Sequence, residues 1–138
     1  MIVADTGAIL ALLDNGDRHH AAVREIYEDR PDVWILPWAI LPEVDYLVAS
    51  ELGASAQDAF MADLANGAFI VEYGKDADIT RAHAISRKYR SLNLGLVDTV
   101  VIATAERLRA DAIATLDLRH FAAVKIAGAP RLLPRDAG

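Results

Sequence analysis

The sequence predicts an α/β fold, a three-layer α/β/α sandwich around a central parallel sheet of four to five short strands. Three observations predict it. Short apolar runs recur along the chain, as Ile2-Val3-Ala4, Val33-Trp34-Ile35-Leu36, Ala68-Phe69-Ile70-Val71 and Ala112 to Leu116. They lack the polar alternation of a one-sided sheet, so they read as strands covered on both faces. Longer stretches with helical character separate them, and that alternation builds βαβ units with parallel pairing.

Taken in order, residues 2–5 form a short buried strand and residues 6–13 a short helix. Asp14-Asn15-Gly16-Asp17 is turn chemistry. A second helix runs from about 18 to 30, with Ala21, Ala22, Val23, Ile26 and Tyr27 as its apolar positions, and Pro31-Asp32 breaks it. Val33 to Leu36 is the second strand. Pro37 opens a helical region to about Leu52, in which Pro42 starts a new helix or kinks the old one. Gly53 ends it, and Ala54 to Asn66 form another helix closed by Asn66-Gly67. Ala68 to Val71 is the third strand. A long helix from about Lys75 to Ser91 stops near Asn93 and Gly95, and the next spans about 96 to 110. Ala112 to Leu116 is the fourth strand, Val124-Lys125-Ile126 a candidate fifth, and residues 130–138 read as a loose tail.

A length of 138 residues predicts one domain spanning 1–138. The hydrophobic fraction of 54% is enough for a core and excludes disorder. No apolar run approaches the ~20 residues of a membrane span. Met1 leads straight into a strand, leaving no room for a signal peptide, so cytoplasm is the expected compartment. Cysteine is absent, which removes disulfides and thiolate zinc sites. The net charge of −6 makes the chain a poor generic binder of polyphosphate. A nucleic-acid substrate must therefore be brought to an acidic chain, and clustered carboxylates that hold divalent cations would remove part of that objection.

Four carboxylates sit in apolar contexts: Asp5 after Ile2-Val3-Ala4, Glu43 in Leu41-Pro42-Glu43-Val44, Asp98 in Leu96-Val97-Asp98-Thr99-Val100, and Asp117 after Ile113-Ala114-Thr115-Leu116. A buried charge costs several kcal/mol unless it is paired, and no base stands beside any of them. Asp5 and Asp117 end strands and project from one sheet edge, where ligands of open parallel sheets bind. Asp98 shares a helical face with Ile102 and Ala105, and Glu43 one with Leu47, so both are expected to face inward. Carboxylates brought to ~4 Å repel by roughly 4 kcal/mol per pair at an effective dielectric of 20. A divalent cation offsets that repulsion, and an oxygen-only set favours Mg²⁺ or Mn²⁺ over zinc.

Each acid also has a structural role open to it: helix N-caps for Asp5 and Asp98, a turn for Asp117, a first-turn dipole partner for Glu43. Their joint placement favours the metal site. Asp5-Thr6-Gly7 matches the catalytic tripeptide of aspartic proteases, but a helix-like Ala/Leu run follows it instead of the required β-structure. A phosphatase with a nucleophilic aspartate on strand one would place a second aspartate at position 7, which is Gly. His19-His20 read as surface residues. Trp34 and Trp38, flanking Pro37, read as core or dimer packing rather than base stacking. Arg87, Lys88 and Arg90 close the long helix, where they suit its dipole or clamp a phosphate beside Asp98. Arg119 and His120 offer a similar clamp from the other side.

The ordered set Ile2-Val3-Ala4-Asp5-Thr6-Gly7-Ala8, Leu41-Pro42-Glu43-Val44, Gly95-Leu96-Val97-Asp98-Thr99-Val100-Val101-Ile102-Ala103-Thr104-Ala105 and Ala114-Thr115-Leu116-Asp117-Leu118-Arg119-His120-Phe121 resembles the PIN-domain family, most closely its VapC-type toxins. The resemblance covers nearly the whole chain. It implies a Mg²⁺- or Mn²⁺-dependent endoribonuclease that hydrolyses RNA by a metal-activated water. Asp5, Glu43, Asp98 and Asp117 would form the acidic site, with Thr6 and Thr115 as supporting hydroxyls. It further implies a homodimer neutralised by a small VapB-like antitoxin protein. Gly7 stands where Ser is frequent and Thr99 where Ala is frequent, and neither change removes a carboxylate. The competing expectation is a catalytically silent PIN-like module that binds RNA or a partner protein.

Overall fold

The computed structural model describes residues 1–138, apart from the side chain of Asp32. Five strands form one parallel sheet: β1 (Ile2–Ala4), β2 (Trp34–Pro37), β3 (Ile70–Glu72), β4 (Ala112–Ala114) and β5 (Arg131–Leu133). Seven α-helices connect them: α1 (Thr6–Leu13), α2 (His20–Asp29), α3 (Leu41–Leu52), α4 (Ala54–Ala65), α5 (Asp76–Lys88), α6 (Leu96–Leu108) and the single turn α7 (Leu118–Phe121). Strand order is β3-β2-β1-β4-β5. From β1 the chain moves outward through β2 to β3, then crosses back to β4 and on to β5. Right-handed crossovers therefore put α1 to α4 on one face and α5 to α7 on the other. This is the expected α/β/α sandwich.

The strands are buried as the unbroken apolar runs require: Val3, Ala4, Trp34, Leu36, Ala112 and Ile113 are fully enclosed. Tyr27 packs edge-on to Trp34 with ring centroids 5.5 Å apart. Trp34 is thus a core residue, as expected. On the other face α5 and α6 are tied by two reciprocal ion pairs. Arg107 Nε donates to Asp78 Oδ1 at 2.7 Å, and Arg81 Nε to Glu106 Oε1 at 2.7 Å. Pro42 does not kink a helix. It occupies the first turn of α3, where its missing N–H costs nothing, and a separate 3₁₀ turn (Trp38–Ile40) precedes it. Gly53, at φ +96°, lets the chain reverse from α3 directly into α4.

Two expectations at the C-terminal end are corrected. Residues 124–126 are not a strand, and the segment read as a loose tail contains β5, paired with β4 through Ala112↔Arg131, Ile113↔Leu132 and Ala114↔Leu133. Leu132 and Leu133 are buried there. The polar and charged residues around this Leu pair hid a strand whose stability comes from pairing rather than local pattern. The long helix is also shorter than expected, ending at Lys88 before a 3₁₀ turn (Arg90–Leu92). His19 and His20 are half-buried rather than exposed, and His20 Nδ1 donates to the Ala11 carbonyl at 2.8 Å, joining α2 to α1.

Candidate metal centre

The connections leaving β1 and β4 run to opposite faces of the sheet, so a crevice opens between the carboxyl ends of these two strands. Asp5 follows β1 and Asp117 lies just beyond β4. The Asp5 N–H donates to the Ala114 carbonyl at 2.9 Å, so the β1–β4 ladder continues through Asp5 and fixes its height. Asp98 enters from the first turn of α6, which packs on β1 and β2.

Asp5 is 6% exposed, and its side chain does not cap α1. It accepts instead from Thr115 Oγ1 at 3.1 Å. The same oxygen accepts from the Asp117 N–H at 3.0 Å, so Thr115 links the two strand-end acids. Burial, together with the charges of Asp98 and Asp117, raises the Asp5 carboxyl from 3.8 to about 6, against the opposing Thr6 N–H and Thr115 hydroxyl. Asp98 is also raised, first by burial and then by Asp117 and Glu43, with His120 opposing. Each acid weighs on its neighbours, which places the four in one electrostatic unit.

The tightest group is Asp98, Asp117 and His120, whose ligand atoms all lie within 4.8 Å of one another and can hold a metal ion. His120 Nδ1 is 2.8 Å from Asp117 Oδ2 and 3.3 Å from Asp98 Oδ2. That nitrogen faces both carboxylates. Sequence reasoning assigned His120 only to a phosphate clamp. The available signal was the Asp117-x-x-His120 spacing: Asp117 caps α7 by accepting from the His120 N–H at 3.2 Å, and the turn swings the imidazole back over the same carboxylate.

Asp5 and Glu43 lie outside this tightest group. Glu43 is exposed in the first turn of α3 rather than inward-facing, because Val44 and Val48 take the buried stripe. Its charge still reaches Asp98. The Thr6 hydroxyl is buried with no hydrogen-bond partner. Clustered acids with raised affinity for protons and an orphaned hydroxyl beside them have the donor chemistry that suits a hard divalent cation.

Arg87 and Arg90 are exposed and share a cavity of about 310 Å³ with His83, Ser86, Asn93 and Leu94, one short loop before α6. Lys88 lies outside it, its ammonium 5.5 Å from the Tyr89 ring centroid. Arg119 is exposed on α7 beside the acids. A larger cavity, about 1490 Å³, opens under the amino ends of the strands and contains Met1, Arg30, Arg109 and Arg131. It lies away from the four acids at the carboxyl edge.

Comparison with known proteins agrees with this geometry. The model of the PIN domain matches residues 2–127. Ribonuclease VapC26 of Mycobacterium tuberculosis (strain ATCC 25618 / H37Rv) is 35% identical over 130 residues, covering 94% of this chain and 96% of that one. Among solved structures, Mycobacterium tuberculosis VapC20, a Sarcin-Ricin loop cleaving toxin, superposes with a TM-score of 0.81 at 20% identity, covering 94% of this chain and 99% of that one. DNA-bound VapBC from Salmonella typhimurium gives 0.71 at 19% identity over 95% of each chain. With Asp5, Asp98 and Asp117 at the sheet's carboxyl edge, and the match running from Ile2 to Ala127, the chain belongs to the PIN domain family.

Proposed function

We propose that this protein is a metal-dependent endoribonuclease of the VapC toxin type, which hydrolyses RNA phosphodiester bonds and is neutralised by a small antitoxin protein. The observation that carries the reading is the gathering of Asp98, Asp117 and His120 within 4.8 Å over a buried Asp5. The ribonuclease name of the 35% identical relative supports the reaction class. The VapBC assemblies among the structural neighbours support the antitoxin.

Asp98 and Asp117 are assigned as direct ligands of Mg²⁺ or Mn²⁺, with Asp5 beneath them and Glu43 at the mouth. A divalent ion bound there supplies charge stabilisation to a phosphodiester and an activated water. The chain's own residues orient the site. Thr115 holds the Asp5 carboxylate in one rotamer, and the α7 turn fixes Asp117 and His120 together. Thr6, beside Asp5, supplies a second supporting hydroxyl. Arg119 on one side, and Arg87, Arg90 and Lys88 on the other, are suited to flanking phosphates. Homodimerisation and a cytoplasmic location belong to the same reading. No described helix is long and apolar enough to cross a membrane.

The test is RNA cleavage in Mg²⁺ or Mn²⁺ by the purified chain and by Asp98→Asn and Asp5→Asn variants. Loss in both variants is expected. Unchanged cleavage in both would assign the activity to a contaminant, and RNA binding without cleavage by the native chain would leave the silent binding module.

A further inference from the structure

We propose that Trp38 and Tyr73 form a stacking platform for an unpaired base of the RNA substrate, one strand away from the metal centre. The inference rests on the nuclease reading above and adds a binding subsite to it.

The two rings lie 5.1 Å apart between centroids and are inclined by 32°. Trp38 is 52% exposed and Tyr73 73% exposed, so two aromatic faces this large stand open to solvent as a pair. Register explains why they meet. Pro37 of β2 pairs with Glu72 of β3, and Trp38 and Tyr73 are the next residues on each strand. The β1–β2 register, Val3↔Ile35, extends by two residues to set Asp5 level with Pro37. Parallel strands are about 4.8 Å apart, so Trp38 leaves the sheet about one strand from Asp5 and Tyr73 about two. The platform and the acids therefore share one sheet edge.

Both rings are mounted on rigid supports. The 3₁₀ turn that carries Trp38 packs against α3 and α6, the helices bearing Glu43 and Asp98. The Tyr73 loop is clamped from both ends by Arg107 of α6. Its Nη2 donates to Glu72 Oε1 at 2.7 Å, and its Nε to Asp78 Oδ1 at 2.7 Å. Glu72 Oε1 also accepts from the Gly74 N–H at 3.1 Å, and Asp78 Oδ2 from the Lys75 N–H at 3.0 Å. Gly74, at φ +89°, permits that reversal. Holding an aromatic side chain open at this cost in order suits a ligand that binds through a flat face.

Charge favours a base over the alternatives. The chain carries −6 and gathers acids at its centre, so phosphate attraction beyond the few flanking arginines and Lys88 adds little to RNA affinity. Stacking on aromatic rings is indifferent to that charge and to base identity. A neutralising protein or a second copy of the chain seated on the rings would bury them without touching RNA affinity.

The test measures binding of a fluorescein-labelled unstructured ten-nucleotide RNA by anisotropy in Ca²⁺, which offsets the charge of the acids, with cleavage in Mn²⁺ assayed separately and oligomeric state followed by sedimentation. Trp38→Ala and Tyr73→Ala should each raise Kd by about 5- to 100-fold, whereas Trp38→Phe and Tyr73→Phe should retain most of the affinity. Sedimentation should not change. An RNA affinity equal to native in both alanine variants, or no binding by the native chain, overturns the platform. Dissociation of a dimer by either alanine variant also overturns it, by giving the rings to a second copy. Platform failure with intact Mn²⁺-dependent cleavage sinks this inference alone, while aromatic-dependent binding without any native cleavage sinks the nuclease reading alone.

Discussion

Asp5 illustrates how one side chain is tuned by its position. Its carboxyl is raised from 3.8 to about 6 by burial first, then by Asp98 and Asp117. In the metal-free protein a raised folded value means that ionising Asp5 costs stability. The cost is absent below about pH 3.8 and grows as pH rises through 6. Between pH 4.5 and 7.5 it amounts to about 2 kcal/mol. Asp5→Asn removes this titration. In EDTA the variant should gain thermal stability relative to native protein as pH rises from 4.5 to 7.5, as thermal melting at several pH values will show. A constant difference between the two proteins would mean that Asp5 is not desolvated. In activity the loss of a carboxylate acts oppositely: Asp98→Asn should lower cleavage by roughly a hundredfold or more, through loss of charge stabilisation. His120→Ala should weaken Mn²⁺ affinity by about tenfold, because the imidazole holds Asp98 and Asp117 in place. Metal titration monitored by calorimetry checks this value. The nearness of Asp5, Asp98 and Asp117 was legible in sequence because an unpaired charge in an apolar run needs a physical reason, whereas the exposure of Glu43 was not. The role of His120 was not, because it depends on the direction of a one-turn helix.

At the scale of elements, the α5–α6 pair is the firmest case. Asp78 is buried, and Arg107 holds its carboxyl below the usual range against the effect of burial. Removing the guanidinium leaves the buried Asp78 charge without its ion-pair partner, with only the Lys75 N–H still donating to it, which costs about 3–5 kcal/mol. Arg107→Ala should therefore lower the unfolding midpoint in urea markedly, while Arg107→Ala combined with Asp78→Asn should recover part of the loss. Equal midpoints for native and Arg107→Ala protein would show that Asp78 finds water in solution. Helix existence was readable along the chain because apolar spacing and breakers such as Pro31, Gly53 and Gly67 bound each element. Short elements defined by pairing or by one cap, β5 and α7, were not. A strand of three residues between Pro130 and Pro134 carries no period, and pairing with the β4 edge places Leu132 and Leu133 in the core. Trp38, read as core or dimer packing, is 52% exposed and so is not a core residue; whether an aromatic after a strand packs inward depends on the turn that follows it.

For the molecule as a whole, two consequences follow from closing the sheet and centring it on acids. Truncation after Ala129 removes β5, and burying two leucines contributes about 3–6 kcal/mol, comparable to the whole stability of a domain this size, about 5–15 kcal/mol. The truncated chain should lose most of its native far-UV and near-UV signal, although residues 130–138 lie beyond the 2–127 match to the family. The second consequence joins stability to function. The clustered carboxylates repel one another in the folded chain and separate in the unfolded one, so an ion bound by the fold alone stabilises it. At a free Mn²⁺ concentration a hundredfold above Kd the gain is about 2.7 kcal/mol, or roughly 10 °C in Tm for a chain of this length. Protons compete for the same oxygens: burial holds Asp5 at about 6, and burial with the Asp117 charge raises Asp98 above the ordinary carboxylate value. The Mn²⁺-induced shift should accordingly be full at pH 7.5 and shrink as pH falls through 6. An Asp98→Asn/Asp117→Asn variant should show little shift at either pH, measured by differential scanning calorimetry. A shift of native size in that variant would place the ion elsewhere on the surface and detach the acids of the sheet edge from any role in holding it.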